Sequence, residues 1–447
     1  MRRLGFVLLL AALGCGGPPE EASEGGAPAL VLQNATIIDG TGNPPIPGGT
    51  IVISDGQIQS VGPSAEVTVP AGAQTVDLSG KTIIPGIINA HGHLGMTKGL
   101  VQDMANYTRE NAQAQLDLYA QYGVTTTTSM GSDNPEVILA IRGDQRNGMI
   151  EGARIFTAVK GFTTVKGYPT MVPGMQGVPY EAGTPEEARA GVDELASEGA
   201  DLVKIWVDDH HDREPKITPE VYGAVIDQAH KHNLRVAAHV YELADARGLV
   251  AAGVDILAHS VRDAEIDDAL IDAMKQNDVT YVATLSREQS TYSYADSPAW
   301  LDDPFFTKGT TPEIIEQVKT KVSQTQAADP DREINIKGFE MALRNLKKLS
   351  DAGVRVALGT DTGPPGRFSG YFEHWEMELM VQAGLTPMQV IQAFSRNAAE
   401  ALGASDRLGS LTAGHAADLV VLTENPLENI GNTRTIEAVY IAGRQVE

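Results

Sequence analysis

"LVKIWVDDHHDREPKITPEVYGAVIDQAHKHNLRVAAHVY", residues 202–241, holds one complete strand–helix–strand unit. Its two end pieces, 202–208 and 235–241, are short apolar runs of the length of a buried strand. Between them, Thr218-Pro219 marks a helix start: proline at the first helical position lacks only an N–H that has no partner there. Two strands joined by a helix run parallel, and the helix covers one face of their sheet.

The same texture repeats on both sides. Further strands are read at 82–91, 124–130, 153–159, 255–260, 280–285 and 355–361, and another helix at 184–200 opens on Thr-Pro. Gly123, Gly199, Gly253 and Gly353 each stand where a helix must stop before the next strand, a position that favours glycine. Eight strands in all imply an α/β chain folded as a (β/α)8 TIM barrel rather than an open doubly wound sheet. No GxGxxG or phosphate-loop pattern competes with that reading. The segment 286–334 is longer than a connection requires, and it is expected to form a helical excursion over the barrel mouth.

The two ends read differently. Residues 30–82 carry short β-runs separated by Asp55-Gly56 and Ser79-Gly80, and 405–447 return to that texture. A small β-sandwich built from both ends, flanking a barrel over 83–404, is the expectation. Residues 1–15, "MRRLGFVLLLAALGC", read as a secretory signal whose apolar run is too short to span a bilayer. Cys15 is the only cysteine in the chain, and it stands where lipoprotein signals place their acylated residue. Lipidation at Cys15, with 16–29 as a flexible tether, implies an exported protein held at the cell envelope by its lipid alone. The plainer alternative is a secretory signal with an incidental cysteine. With Cys15 as anchor, no thiol remains for disulfides, catalysis or metal ligation.

Acidic residues number 58 against 34 basic, a formal charge of −24. Such a surface repels nucleic acid and anionic lipid, so neither is expected as a partner.

Chemistry is concentrated at the strand ends. In "PGIINAHGHLG", 85–95, His91 and His93 are two residues apart, so on a strand both face one side. Lys204, His239, His259 and Asp361 lie on or at the ends of four other strands. The chain has 10 histidines, and four of them occupy these strand ends. A single strand-end histidine is ordinarily a satisfied core residue. Four of them with an aspartate at matching heights form a nitrogen and oxygen ligand set suited to zinc, iron, manganese or cobalt. Lys204 alternates with Val203 and Ile205, which turns it toward the barrel axis. A buried ammonium beside cations is costly, whereas a buried lysine can lose its proton. The neutral amine can add carbon dioxide, giving N6-carboxylysine, a carboxylate able to bridge two cations. The alternative is Lys204 paired with Asp361 or Asp201 at the barrel mouth.

Taken together, "PGIINAHGHL", "LVKIW", "VAAHVY", "DILAHS", "LGTDTG" and "RLGSLTAGHAADLVVLTENPLENI" resemble the amidohydrolase superfamily over nearly the whole chain after the leader. Their texture is similar to its imidazolonepropionase-like and prolidase-like branch. The resemblance implies His91, His93 and Asp361 as ligands of one divalent ion and His239 and His259 as ligands of a second. Lys204 would bridge the pair, with zinc as the expected metal. It further implies a water activated between two ions and attacking a carbonyl, with Asp361 carrying the proton to the leaving nitrogen.

Substrate contacts are read around that centre. Tyr241, two residues after His239, shares its strand face and is a candidate oxyanion donor, or else a packing residue at the rim. Tyr168 lies in the glycine-rich loop after the third strand and either lines the pocket or orders that loop. Arg287 and Arg367 are candidates for clamping a substrate carboxylate, or else form surface salt bridges. His210 and His211 read as solvated, and His374 and His415 as structural.

The expected activity is hydrolysis of an amide bond in a dipeptide or N-acyl amino acid, as a prolidase-like enzyme performs. The expected partner is that small substrate, and barrels of this kind also associate as homo-oligomers. Hydrolysis of a cyclic amide, lactone or phosphoester is the alternative. A non-catalytic binding protein would show a broken ligand set, and this sequence does not.

Overall fold

The apolar run beginning at Thr82 is divided between two sheets. Thr82–Pro85 pairs antiparallel with Leu419–Leu422, whereas Ile87–Gly92 pairs parallel with Val124–Ser129. Gly86 makes the transfer: its N–H donates to Asp418 O at 2.9 Å, and the next amide, Ile87, donates to Gly123 O at 3.0 Å. The crossing is so close that a Cβ on Gly86 would lie 2.1 Å from Thr125 Oγ1. The single strand expected at 82–91 is therefore two, separated by the one residue without a side chain. This computed structural model describes residues 29–447. The expected secretory signal, the expected lipidation at Cys15 and the expected tether up to residue 28 lie outside the described residues.

Strands from both chain ends meet in one sheet. Its path runs Arg444–Gln445, Ile436–Ile441, Leu419–Leu422, Thr82–Pro85, Leu30–Ile37, Ile46–Ser54 and Gln57–Pro63, with Gln74–Asp77 joined to Leu30–Ile37 as a branch. Leu30–Ile37 changes neighbour along its length: residues 30–33 pair with 74–77, and residues 36–37 with 82–83. The left-handed Asn34 (φ 66°) marks the change. A β-sandwich was the expectation, and the ladder found is this single branched sheet of eight strands. Leu32, Ile51, Ile83, Leu419 and Val421 from the two chain ends share one buried cluster.

The middle of the chain is a TIM-barrel-like α/β fold. One parallel ladder contains Ile87–Gly92, Val124–Ser129 and Arg154–Thr157. A second runs Gly161–Thr163, Val203–Val207, Val236–Val240, Ile256–Ala258, Thr280–Val282 and Val356–Ala357, with Tyr180–Glu181 at its edge. All eight expected strand positions are present, though shortened. The third bends after Thr157, where Val159 is left-handed (φ 55°), and resumes at Gly161 beside Val203–Val207. Backbone bonds connect the ladders on both sides. Asp201 N–H donates to Thr157 O at 2.9 Å, and Ala90 N–H to Leu358 O at 2.9 Å.

Helices follow the strands as their signals imply. Pro185–Glu198 opens on a Thr184–Glu187 capping box, and Pro219–Lys231 on Thr218. Gly123, Gly199, Gly253 and Gly353 are all left-handed, with φ between 77° and 90°. The excursion is a string of short helices, including Leu285–Ser290, Pro304–Thr307, Pro312–Gln317 and Ser323–Ala327, before the long Arg332–Asp351. Its Tyr294 hydroxyl donates to Gly366 O, which ties it to the loop after the last barrel strand. Among the described residues no helix is long and apolar enough to cross a membrane.

Two predictions follow from this packing. Gly86→Ala, forced against Thr125, is expected to cost about 1–3 kcal/mol of stability, read as a lowered denaturant midpoint with an unchanged slope. His374 is buried, with Nε2 2.8 Å from Tyr122 O and Nδ1 2.9 Å from Thr433 Oγ1. Burial depresses its pKa to about 3, against the pull of the Tyr122 bond. The folded value lies below the unfolded one, so this contribution is present above pH 6.5 and lost as pH falls toward 3. Unfolding free energy should decline over that window, and His374→Gln should flatten the decline.

Candidate metal centre

The strand-end residues converge. His91, Lys204 and His239 stand on barrel strands, His93 and His259 directly follow strand ends, and Asp361 lies in the loop four residues past Ala357. All but His93 are buried. His91, His93 and Asp361 each offer one donor atom, and the three lie within 4.8 Å of one another. His93 Nε2 is 2.9 Å from Asp361 Oδ1, and His91 Nε2 is 3.5 Å from it. The His259 ring lies between the other pair, 4.5 Å from His91 and 4.4 Å from His239 between centroids. His259 and Asp361 are left-handed, with φ of 80° and 54°. Backbone in that region costs a non-glycine residue about 1–3 kcal/mol and is concentrated at functional sites.

Three of the four imidazoles are tethered through one ring nitrogen. His93 Nδ1 is 2.7 Å from Ser132 Oγ, His239 Nε2 is 2.8 Å from Asp208 Oδ2, and His259 Nδ1 is 2.8 Å from Thr284 Oγ1. Burial holds His239 neutral, with a pKa near 3, and pushes His91 and His259 well below the usual range. Neutral rings fixed by an outer partner, with the other nitrogen left as donor, are what a metal ligand needs. His91 Nδ1 is buried and has no hydrogen-bond partner among the described residues.

Lys204 is fully buried, its Nζ 3.5 Å from His91 Nε2. Burial lowers its pKa to about 7, with Asp361 pulling the other way. The pairing with Asp201 or Asp361 is not made. Asp201 is bound by Arg142 at 2.6 Å and Arg146 at 2.8 Å, and Asp361 Oδ2 contacts Arg367. Burial alone would raise the Asp361 pKa, but the Arg367 guanidinium and the His93 contact hold it well below the carboxylate range. The His91, His93 and Asp361 donors fit a divalent metal ion, with the deprotonatable Lys204 beside them.

A cavity of about 250 Å³ opens above these groups. Met96, Val172 and Met175 give it an apolar side, and Arg287 and Arg367 a basic one. Rather than forming surface pairs, the arginines belong to a row of alternating charge. Arg262 lies 3.0 Å from Glu288, Glu288 lies 2.7 Å from Arg287, and Arg287 Nε lies 3.7 Å from Asp361 Oδ2, which also contacts Arg367. Of this row Arg287, Arg367 and Asp361 line the cavity, two guanidiniums against one carboxylate, which leaves that wall with one surplus positive charge. Tyr168 is on the wall, its ring 5.2 Å from His239 and 4.2 Å from His210.

Tyr241 is not on the cavity wall. Its strand ends at Val240, so the alternation that would turn it inward stops one residue short. Its ring instead packs against Arg262 at 4.7 Å and His211 at 4.9 Å. Residues not singled out from the sequence are Ser132, Asp208 and Thr284. Asp208 had a signal, since it shares strand parity with Lys204 and Trp206. His210 was read as solvated, yet it lines the cavity and heads a run of three left-handed residues, His210 to Asp212 (φ 49°, 63° and 59°). A larger groove, about 710 Å³, lies elsewhere between residues 113–156 and 441–447 and contains none of the strand-end donors.

The model of the amidohydrolase family matches residues 82–446. The chain belongs to the amidohydrolase family. This amidohydrolase is 28% identical over 252 residues to ochratoxinase from Aspergillus niger, covering 55% of this chain and 45% of that protein. The match therefore spans less than half of that relative's length. An imidazolonepropionase from Phocaeicola vulgatus is 41% identical over 81 residues, 18% of this chain and 20% of that one. A solved Bifidobacterium longum structure, described as a prolidase, superposes with a TM-score of 0.73 at 27% identity, covering 94% of both chains.

Removing the outer partner of one imidazole is a direct check on this amidohydrolase's donor set. Asp208→Ala is expected to weaken metal retention by about 10- to 100-fold in a chelator competition. Unchanged retention would mean that His239 holds no metal or does not depend on Asp208 for its orientation.

Proposed function

We propose that this protein hydrolyses an amide bond in a dipeptide or N-acyl amino acid, using two divalent cations held at the strand ends. The observation that carries the reading is Lys204, buried without a carboxylate partner among four histidines, three of which are tethered from outside. His91, His93 and Asp361 would hold one ion and His239 and His259 the other, with Lys204 as N6-carboxylysine between them and zinc as the metal. Bound there, such cations lower the pKa of a water and polarise a carbonyl. Asp361 would accept a proton and return it to the leaving nitrogen. Tyr168 and the apolar side of the cavity exclude water from the substrate.

The surplus positive charge of the Arg262–Glu288–Arg287–Asp361–Arg367 row supports a substrate with a free carboxylate, clamped by Arg287 and Arg367. A lactone or phosphotriester offers that wall no anion. The backbone bonds on both sides of the ladders support a closed (β/α)8 barrel beneath the site.

Metals per chain, counted by elemental mass spectrometry after growth with zinc and bicarbonate, are expected near two in the parent and clearly fewer in Lys204→Ala. Turnover of dipeptides and N-acyl amino acids should accompany that metal. Arg287→Met or Arg367→Met should raise KM for them by about 10- to 100-fold, the worth of a charged hydrogen bond. A metal-free parent, or turnover confined to esters without a carboxylate, would overturn the reading.

A further inference from the structure

The helix Tyr371–Gln382 follows the last barrel strand and is buried almost throughout its first ten residues, Glu378 alone being partly exposed. Two of its buried residues are carboxylates, Glu373 at 0% exposure and Glu376 at 1%. Burying a carboxylate is costly unless hydrogen bonds replace its water. Burial pushes both carboxyls up to about 7, against the bonds they accept. An apolar residue would fill either position without that cost, so what the two side chains hold matters.

Glu373 reaches toward the first and last barrel strands. Its Oε1 accepts from Asn89 Nδ2 at 2.7 Å, Thr360 Oγ1 at 2.7 Å and Thr362 Oγ1 at 3.1 Å, and its Oε2 accepts from Gly370 N–H at 2.6 Å. Asn89 Oδ1 in turn accepts the His91 N–H at 3.0 Å. Thr360 and Thr362 flank Asp361. One carboxylate oxygen thus grips both sides of Asp361 and, through Asn89, the backbone of His91.

Glu376, one turn along, reaches the opposite side. Its two oxygens accept the N–H groups of Leu285 at 2.8 Å and Ser286 at 2.6 Å, at the start of the helix Leu285–Ser290. Thr284 immediately before that helix is left-handed (φ 52°), and its hydroxyl meets His259 Nδ1 at 2.8 Å. Arg287 lies on the same turn.

We propose that Glu373 and Glu376 are positioning residues for the metal centre, each holding one half of it: Glu373 the His91–His93–Asp361 half, and Glu376 the His259 half through Thr284. One helix, by two carboxylates three residues apart, then sets the spacing between the halves. This inference rests on the metal-centre reading above, but the pinning itself is measurable without metal.

Glutamine keeps the size of each side chain but turns an acceptor into a donor. In Glu376→Gln it faces an N–H with an NH2 group. Amide hydrogen exchange of the full chain, metal removed, is expected to accelerate more than tenfold over 284–290 in Glu376→Gln while 359–363 keeps parent rates. Glu373→Gln should give the reverse pattern. In the zinc-loaded proteins, each variant should keep one fewer ion than the parent after a chelator challenge. Should either glutamine variant fail to fold, Thr284→Val and Thr360→Val remove the corresponding links alone, and each should lose one ion. Exchange that rises equally in both segments, or variants that retain zinc as the parent does, would reduce the two carboxylates to fold stabilisers and overturn the proposal. A parent that binds no zinc would instead overturn the proposed function, and the exchange patterns would still decide the pinning.

Discussion

One carbonyl receives two amides where the barrel's first and last strands meet: Thr360 and Asp361 both donate to His91 O, at 3.0 and 2.7 Å. That junction fixes Asp361 against the two histidines of the first strand, and the other donors are placed relative to it by parallel register. His239 pairs with Trp206 on one side and Ala258 on the other, so His259 emerges one residue above it. Lys204 pairs with Ala237, one layer lower, and its long stem brings the amine up to the same level. Parallel strands end at one face of the sheet, and that common height turns residues scattered over 270 positions of sequence into one cluster.

Charge is handled differently above and below that level. The cavity wall alternates guanidinium and carboxylate, so each buried ion has an opposite neighbour. The floor carries little charge, because burial disfavours protonation of His91, His239 and His259 and drives Lys204 toward neutrality. A floor of neutral nitrogen donors suits a cation, and a wall with surplus positive charge suits an anion. The two demands fall on different residues of one cavity, with Asp361 shared between them.

The alternation of Lys204 with Val203 and Ile205, and the ends of the apolar runs, made His91, His93, Lys204, His239, His259 and Asp361 legible in the sequence. Periodicity is a strand property, and it failed where the strand did: Tyr241 lies one residue past Val240 and turns toward Arg262. Asp208 is likewise one residue past its strand but still meets His239, so there the parity shared with Lys204 was a usable signal. Ser132 and Thr284 were not, because they act from loops whose left-handed turns leave no periodic trace. Glu373 and Glu376 were not singled out in the sequence, and only the tertiary fold shows both faces of their helix buried. The run from Thr82 to Gly92 reads as one strand because hydrophobic pattern does not register a change of partner at Gly86.

That change of partner has a mechanical consequence. The sheet built from the chain ends and the strand bearing His91 are joined in series with no slack, since Asp418 holds Gly86 and Gly123 holds the very next residue. Only four residues separate the glycine from the first histidine. A fluctuation that opens the terminal sheet pulls directly on the strand whose end carries the donor pair. The terminal sheet thus acts less as a decoration than as a clamp on the tail of that strand, and its fraying and the loosening of the donor cluster belong to one cooperative event.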